Sequence, residues 1–153
     1  MTNCSLSVCL ALLGGIGRFP FAPGTVATVV AGVPLAWAIG FLPLTAELFI
    51  LAVLVPVSCY VSDQTERIFQ ARDPGAIVID ELAGYLVTMI GLPITLKSLL
   101  LGVIAFRLFD IWKPWPISVL DQKVKGGLGI VLDDLAAGVF AHFSVWIILQ
   151  LWS

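Results

Sequence analysis

The sequence predicts an all-α membrane protein: a polytopic helical bundle with about five spanning or nearly spanning helices and an interfacial N-terminal segment. Of the 153 residues, 59% are hydrophobic and only 12% are charged, a balance that excludes an ordinary soluble domain. Prolines, glycines and short polar stretches divide the apolar residues into runs of helical length. A chain this short forms one compact unit, so residues 1–153 are expected to be a single membrane-embedded domain.

Five apolar runs are the candidates for the spanning helices. They are residues 26–41, 48–61, 77–92, 99–112 and 135–152. A bilayer core of about 30 Å takes about 20 helical residues, so the shorter runs must tilt or use flanking residues. The N-terminal run, residues 4–17, is short and ends in glycines. It is expected to be an interfacial or partly re-entrant helix of the mature chain.

The basic residues predict the orientation of the bundle. If the turns at residues 41–47 and 91–97 share one side, nearly all basic residues lie towards the other side, and Lys97 is the exception. By the positive-inside rule the basic side is cytoplasmic and the C-terminus is outside. The cysteines, Cys4, Cys9 and Cys59, lack metal-ligand spacing and are expected to be free thiols.

Five carboxylates lie within these runs or at their ends. They are Asp80, Glu81, Asp110, Asp133 and Asp134. Counted at about 1.5 Å per residue from the opposite turns, all five reach one level near the cytoplasmic interface. An unpaired charge in hydrocarbon costs about 2.5 to 3.5 kcal/mol on an insertion scale, so a positive partner is expected at that level.

Three interpretations of these acids compete. They can be structural ion pairs with Arg18, Arg107 and Lys113, or helix caps, as Asp133 would be. They can bind Mg²⁺, because carboxylate oxygens from several helices suit that ion and outnumber the nearby basic groups. They can also form a proton or cation path through the membrane.

The loops favour a phosphorylated ligand bridged to a metal. The stretch GRFPFAPGT places Arg18 and Thr25 ahead of the first run, where the start of a helix can hold an anion. The stretch DQKVKGGLGIVLDD adds Lys123, Lys125 and three glycines, which let a backbone approach a ligand closely. A basic, glycine-rich loop beside several acids is more specific than either feature alone.

The stretch FRLFDIWKPWPI places basic groups on both sides of an acid. Arg107 lies three residues before Asp110 on the same helical face, and Lys113 lies three residues after it, where the helix is expected to end. These two basic side chains are expected to clamp a phosphate beside a metal near Asp110.

Four stretches together resemble the signature stretches of the phosphatidylglycerophosphatase A family in order and spacing. They are FAPGT, DPGAIVIDELAG, FRLFDIWKPWPI and GGLGIVLDDLAAG, and they cover the chain from about Pro20 to Gly138. The resemblance implies a helical, Mg²⁺-dependent enzyme of the bacterial inner membrane. Such an enzyme removes the terminal phosphate of phosphatidylglycerol phosphate to give phosphatidylglycerol. The expected partners are this lipid and the bilayer, with no nucleic acid and the oligomeric state left open.

The residues expected at such a site, on the cytoplasmic face, fall into three overlapping groups. The catalytic group is Asp80, Glu81, Asp110 and Asp134. The metal ligands are the same four acids and Asp133. The phosphate-binding group is Arg18, Thr25, Arg107, Lys113, Lys123 and Lys125. Either a water at the metal or one carboxylate would attack phosphorus, and the sequence leaves both open.

The sequence departs from the family pattern in two places. Val26, Ala27 and Thr28 follow the APGT stretch, where the family usually has a variable residue, glycine and serine. Gln122 stands where the family commonly has arginine, so Lys123 or Lys125 must replace that contact or the contact is absent.

Other functions are weighed against a lipid phosphatase. His142 is the one histidine, which excludes phosphatases that need several, and it is expected to be a packed residue of the last helix. A small cation-coupled transporter or channel subunit, using the same acids, is the main alternative. A non-catalytic assembly protein is the third possibility, and there replacing any single acid would mainly lower the folded yield.

Overall fold

The computed structural model describes residues 5–152, and within that range the chain is helical, without strands. Eight α-helices follow one another along it. They are α1 (Leu6–Ala11), α2 (Pro23–Ala27), α3 (Val33–Ile39), α4 (Leu44–Phe69), α5 (Ile79–Met89), α6 (Leu96–Trp112), α7 (Ile117–Lys123) and α8 (Gly126–Leu151). A 3₁₀ helix (Leu13–Arg18) follows α1, and a π-helical turn (Thr28–Gly32) joins α2 to α3 in one apolar helix. The all-α prediction is confirmed.

Two helices, α4 and α8, are long and apolar enough to cross a membrane. Each has 26 residues, or about 39 Å at the rise of an α-helix, which exceeds the thickness of a bilayer core. Helix α5 has only 11 residues and α6 has 17, so they extend about 16 and 26 Å. The finding supports a membrane-associated protein, and the count of about five spanning helices stays a prediction.

Helix α8 lies against α4, α5, α6 and α7, and it organises the bundle. In the main core the rings of Tyr85 and Phe106 pack edge to face at 6.4 Å, and both side chains are fully buried. The Tyr85 hydroxyl donates to the carbonyl oxygen of Leu99 at 3.0 Å. These contacts hold α5 against α6.

The described part of the N-terminal segment packs on the bundle. Val8, Ala11 and Leu12 are buried in a second core that also contains apolar side chains of α4, α5 and α8. The Val78 amide donates to the carbonyl oxygen of Ala11 at 2.9 Å, just before α5 begins. This segment therefore supports the start of α5, and its interfacial location stays a prediction.

The two turns expected on one side of the membrane do lie together. The Gly91 amide in one turn donates to Glu47, which follows the other turn, at 2.9 Å. Glu47 is buried, which the sequence does not indicate. Cys9 and Cys59 are free thiols as predicted, and Cys4 lies outside the described residues.

Glycines bring α8 close to its neighbours. A Cβ atom at Gly127 would lie 1.9 Å from the carbonyl oxygen of Cys59 on α4, and one at Gly138 would lie 2.3 Å from that of Gly84 on α5. The prediction of a glycine-rich loop at this point is therefore wrong, because α8 begins at Gly126 and Gly127 packs against α4. The expected capping role of Asp133 is also wrong, since this residue lies inside α8.

We expect Gly138→Ala to destabilise the fold. The added methyl group would meet backbone atoms of α5, which cannot move away without separating the two helices. Overpacking of this kind typically costs about 1 to 3 kcal/mol. Thermal unfolding in detergent measures the effect. Gly75→Ala is the matched control, because its new methyl group has no neighbouring atom within 4 Å. Equal midpoints for the two variants would contradict the close contact.

Candidate active site

Three carboxylates from two helices form a buried cluster. Asp80 and Glu81 lie in the first turn of α5, and Asp134 lies in α8 beside them. One oxygen from each of the three lies within 4.8 Å of the other two. Asp80 and Asp134 are only 7% and 3% exposed. Two acids that are 54 residues apart in sequence thus meet where α5 begins.

Several oxygens in and beside this cluster lack a hydrogen-bond partner among the described residues. They are Asp80 Oδ1, Glu81 Oε2 and Asp134 Oδ2 in the cluster and Asp133 Oδ1 next to it. Asp80 and Asp134 also form no ion pair with a described basic residue. Buried carboxylates are costly unless a positive partner compensates them. A bound cation would supply that partner, so the residues present fit a metal ion.

Arg107 on α6 links Glu81 of the cluster to Asp110. Its guanidinium bonds the Asp110 carboxylate, and its Nη1 atom lies 3.8 Å from Glu81 Oε1. Its Nε atom is buried and has no described partner. The ion pair between Arg107 and Asp110 agrees with one of the three interpretations of the acids, and it places Asp110 beside the cluster, paired with a basic side chain.

The first turn of α2 covers the Arg107–Glu81 pair. A Cβ atom at Gly24 would lie 2.0 Å from Glu81 Oε1 and 2.9 Å from Arg107 Nη1, so a larger residue there would have to displace these side chains. Thr25, the next residue, is half-buried in the same turn. The FAPGT stretch therefore closes one side of the site through backbone contact.

Lys113 forms a second ionic group next to the cluster. Its ammonium nitrogen lies 2.8 Å from Asp121 Oδ1 and 2.5 Å from Asp133 Oδ2, and thus ties the end of α6 to α7 and α8. Burial alone would lower the pKa of Lys113, but the hydrogen bonds to these two acids hold it above its ordinary value. Lys113 therefore stays charged, and it contacts Asp121 and Asp133 instead of flanking Asp110.

A cleft of about 370 Å³, here called the polar cleft, adjoins the Lys113 group. Its lining residues are Glu66, Arg72, Asp73, Asp121, Gln122, Val124, Lys125, Gly126, Gly129 and Ile130. Arg72 donates to the carbonyl oxygen of Asp121 at 3.2 Å, and the Asp73 amide donates to Glu66 at 2.7 Å. Desolvation in the cleft raises the pKa of Asp73, which the charge of Lys113 opposes.

Sequence reasoning did not place Glu66, Arg72, Asp73 or Asp121 at the site. A signal was present, because Asp73 belongs to the DPGAIVIDELAG stretch and Asp121 lies just before the basic pair Lys123 and Lys125. The positions of all four depend on how α7 folds back towards α4, which residue spacing alone does not indicate.

Other predicted residues in the described part of the chain form no ion pair with the clustered acids. Arg18 and Lys123 are exposed, and neither forms an ion pair with a described carboxylate. Lys125 lines the polar cleft. His142 packs inside the bundle, with its Nδ1 atom 3.2 Å from the carbonyl oxygen of Thr88, as expected for a structural residue.

Comparisons with known proteins agree with the family resemblance. The family model described as "Phosphatidylglycerophosphatase A" matches residues 9–149. The Escherichia coli (strain K12) protein named phosphatidylglycerophosphatase A is 34% identical over 144 residues, which cover 94% of this chain and 83% of that protein. The Haemophilus influenzae protein of the same name is 35% identical over 150 residues, which cover 94% and 88%. No solved structure matches the chain. Because the family model and both relatives match most of its length, the chain belongs to the phosphatidylglycerophosphatase A family.

Proposed function

We propose that this protein is a Mg²⁺-dependent phosphatase that hydrolyses the terminal phosphate of phosphatidylglycerol phosphate and yields phosphatidylglycerol and inorganic phosphate. The observation that supports this proposal most strongly is the buried cluster of Asp80, Glu81 and Asp134. Oxygens of this cluster lack hydrogen-bond partners among the described residues, and the basic side chains of Arg107 and Lys113 lie nearby. The names of the two relatives support the choice of substrate. We place the reaction at the cytoplasmic face of the bacterial inner membrane, where the basic end of the bundle would lie.

The three clustered acids would hold the metal. Mg²⁺ prefers carboxylate and water oxygens and usually keeps open positions for a phosphate. When bound, it would neutralise charge on the phosphate and make a nearby water more acidic. Asp110 and Asp133 belong to the expected ligand set, but Arg107 and Lys113 pair with them in this structure. We therefore assign these two acids to holding the basic residues in place.

The basic residues would bind the phosphate. Arg107 lies at the edge of the cluster, and its guanidinium suits bidentate contact with phosphate oxygens. Lys113 adds a second positive charge on the side of the polar cleft. A free carboxylate oxygen of the cluster can accept the proton of an attacking water. The residues proposed to bind the metal, to bind the phosphate and to accept the proton all lie at the same end of the bundle.

Phosphate release from purified protein tests this function. In mixed detergent micelles with phosphatidylglycerol phosphate, we expect release with Mg²⁺, loss of release with EDTA and recovery when Mg²⁺ is added back. Unchanged release in EDTA would overturn the metal requirement. The alternative of a cation-coupled transporter or channel subunit gains no support from the comparisons, and it would instead require sealed vesicles for a measurable activity.

Labelling of single cysteines tests the orientation. In a variant without the three native cysteines, Gln122→Cys lies in the polar cleft and Thr45→Cys lies at the opposite end, and both positions are exposed. With a membrane-impermeant thiol reagent, position 122 should react only when the inner face is open, and position 45 should react from outside. The reverse pattern would put the site on the other face of the membrane.

A further inference from the structure

An open surface groove, here called the apolar groove, runs between α4 and the start of α8. It measures about 590 Å³, and Val55, Pro56, Cys59, Tyr60 and Leu128 form its apolar lining. Asp63, Lys125 and Gly127 complete the lining. Asp63 lies eight residues beyond Val55 on α4, so the groove extends about 12 Å along that helix and becomes polar at one end.

Lys125 lies at the junction of the apolar groove and the polar cleft. It lines both cavities, and it is exposed at the start of α8. It forms no ion pair with any described carboxylate, so its ammonium is available to a ligand. Asp63, the nearest acid of the groove, is instead paired with Arg67 at 2.8 Å.

The two cavities together match the chemistry of a phospholipid. An acyl chain needs an apolar channel, and the anionic phosphodiester next to it needs a positive contact where that channel ends. Both cavities have volumes in the range of small-molecule sites. The polar cleft then leads towards Asp121, which Lys113 bonds, and so towards the acids.

We propose that the apolar groove holds an acyl chain of the substrate lipid and that Lys125 binds its bridging phosphodiester. The headgroup then lies in the polar cleft and directs its terminal phosphate towards Lys113 and the carboxylate cluster. This assignment rests on the proposed function, because it takes the substrate to be a phospholipid with two phosphates. It makes Lys125 a positioning residue that acts at a distance from the reacting phosphorus.

The proposal can be tested by measuring whether a bound lipid protects a native thiol from alkylation, an experiment that does not require catalysis. Cys59 lines the groove, and the exposed Cys9 is a reference on the same chain. We would measure alkylation of both thiols by N-ethylmaleimide with peptide mass spectrometry, in detergent with Mg²⁺. The probe is phosphatidylglycerol, the reaction product, which keeps the acyl chains and the phosphodiester. At about ten times its dissociation constant it should slow labelling of Cys59 about tenfold, because only the unoccupied fraction reacts.

Two comparisons isolate the role of Lys125. Diacylglycerol, which lacks the phosphate, should protect Cys59 less than phosphatidylglycerol in the wild-type protein. Lys125→Gln should remove this difference, and Lys125→Arg should keep it because the charge is retained. Lys97→Gln makes the same change of charge beside Trp152, away from both cavities, and should behave like wild type.

Each contrary result overturns a defined part of the proposal. Equal protection of Cys9 and Cys59 would overturn groove binding, and so would protection that depends on protein concentration, which indicates a second copy on the groove. Equal protection by the two lipids would overturn the contact with Lys125. Phosphate release measured on the same preparation separates the two hypotheses: release without protection overturns only the groove, whereas protection without release overturns the proposed reaction.

Discussion

Asp134→Asn should abolish phosphate release and at the same time raise the thermal midpoint of the metal-free protein. The asparagine keeps the size of the side chain but removes a buried negative charge next to Asp80 and Glu81. The cost of burying that charge disappears with it. In the wild-type protein, Mg²⁺ should raise the midpoint by binding the folded state, and this increase should be much smaller in the variant. The measurements are phosphate release in micelles and unfolding curves with and without Mg²⁺.

Glu47→Gln is the matched control for this experiment. Glu47 is also a buried acid, but it lies with the two short turns at the other end of the bundle and accepts a hydrogen bond from Gly91. The glutamine can accept the same hydrogen bond, so activity and the response to Mg²⁺ should stay as in wild type. Asp80→Asn should behave like Asp134→Asn. A fully active variant at either position would remove that residue from the metal site.

Two replacements of Arg107 should distinguish its role in neutralising the buried acids from its role in binding phosphate. Arg107→Met leaves Glu81 and Asp110 without their positively charged partner. Breaking a buried ion pair lowers the free energy of unfolding by about 3 to 5 kcal/mol. This variant should lose both stability and activity. Arg107→Lys retains the charge, so it should keep most of the stability, but kcat/KM should fall by about 100-fold or more if bidentate contact with phosphate is lost. Unfolding in detergent and initial rates against lipid concentration measure the two effects.

Arg67→Lys is the control variant, because it makes the same arginine-to-lysine substitution in an exposed ion pair. The Arg67 side chain is 72% exposed, and its partner Asp63 lies on the same helix. Exposed pairs contribute little to stability, so this variant should resemble wild type in both assays. If Arg107→Lys also retained full kcat/KM, Arg107 would only balance the buried acids, and the phosphate would bind elsewhere.

The sequence predicted the helical class and the acids of the site better than the lengths of the helices. Composition and the apolar runs are enough to predict an all-α membrane protein. Acidic residues are rare in such a chain, so those within the apolar runs are easily recognised as candidate site residues. Helix ends were less predictable because the same residues can break or pack a helix. Gly127 was expected in a loop and Asp133 at a helix cap, yet both lie within α8, where Gly127 allows close contact with α4.

The basic residues show what spacing along one helix cannot predict. Arg107 and Asp110, three residues apart, lie on one helical face as expected, and they form an ion pair. Lys113 has the same separation from Asp110, but it lies just past the end of α6 in a left-handed conformation with φ of 45°. Its ammonium therefore reaches α7 and α8. Contacts made beyond the end of a helix depend on tertiary packing, and Arg72 and Asp73, which follow the end of α4, were missed for the same reason.

The contact between α5 and α8 has a consequence for ion selectivity. Gly84 lies so close to α8 that a Cβ atom there would be 2.7 Å from the carbonyl oxygen of Asp134 itself. This close approach brings together the two helices that carry Asp80 and Asp134. Mg²⁺ takes its oxygens at about 2.0 to 2.1 Å, whereas Ca²⁺ takes them at about 2.3 to 2.6 Å. In the proposed metal site, the lack of a side chain at Gly84 would let α5 and α8 approach closely enough for Asp80 and Asp134 to share a small ion such as Mg²⁺.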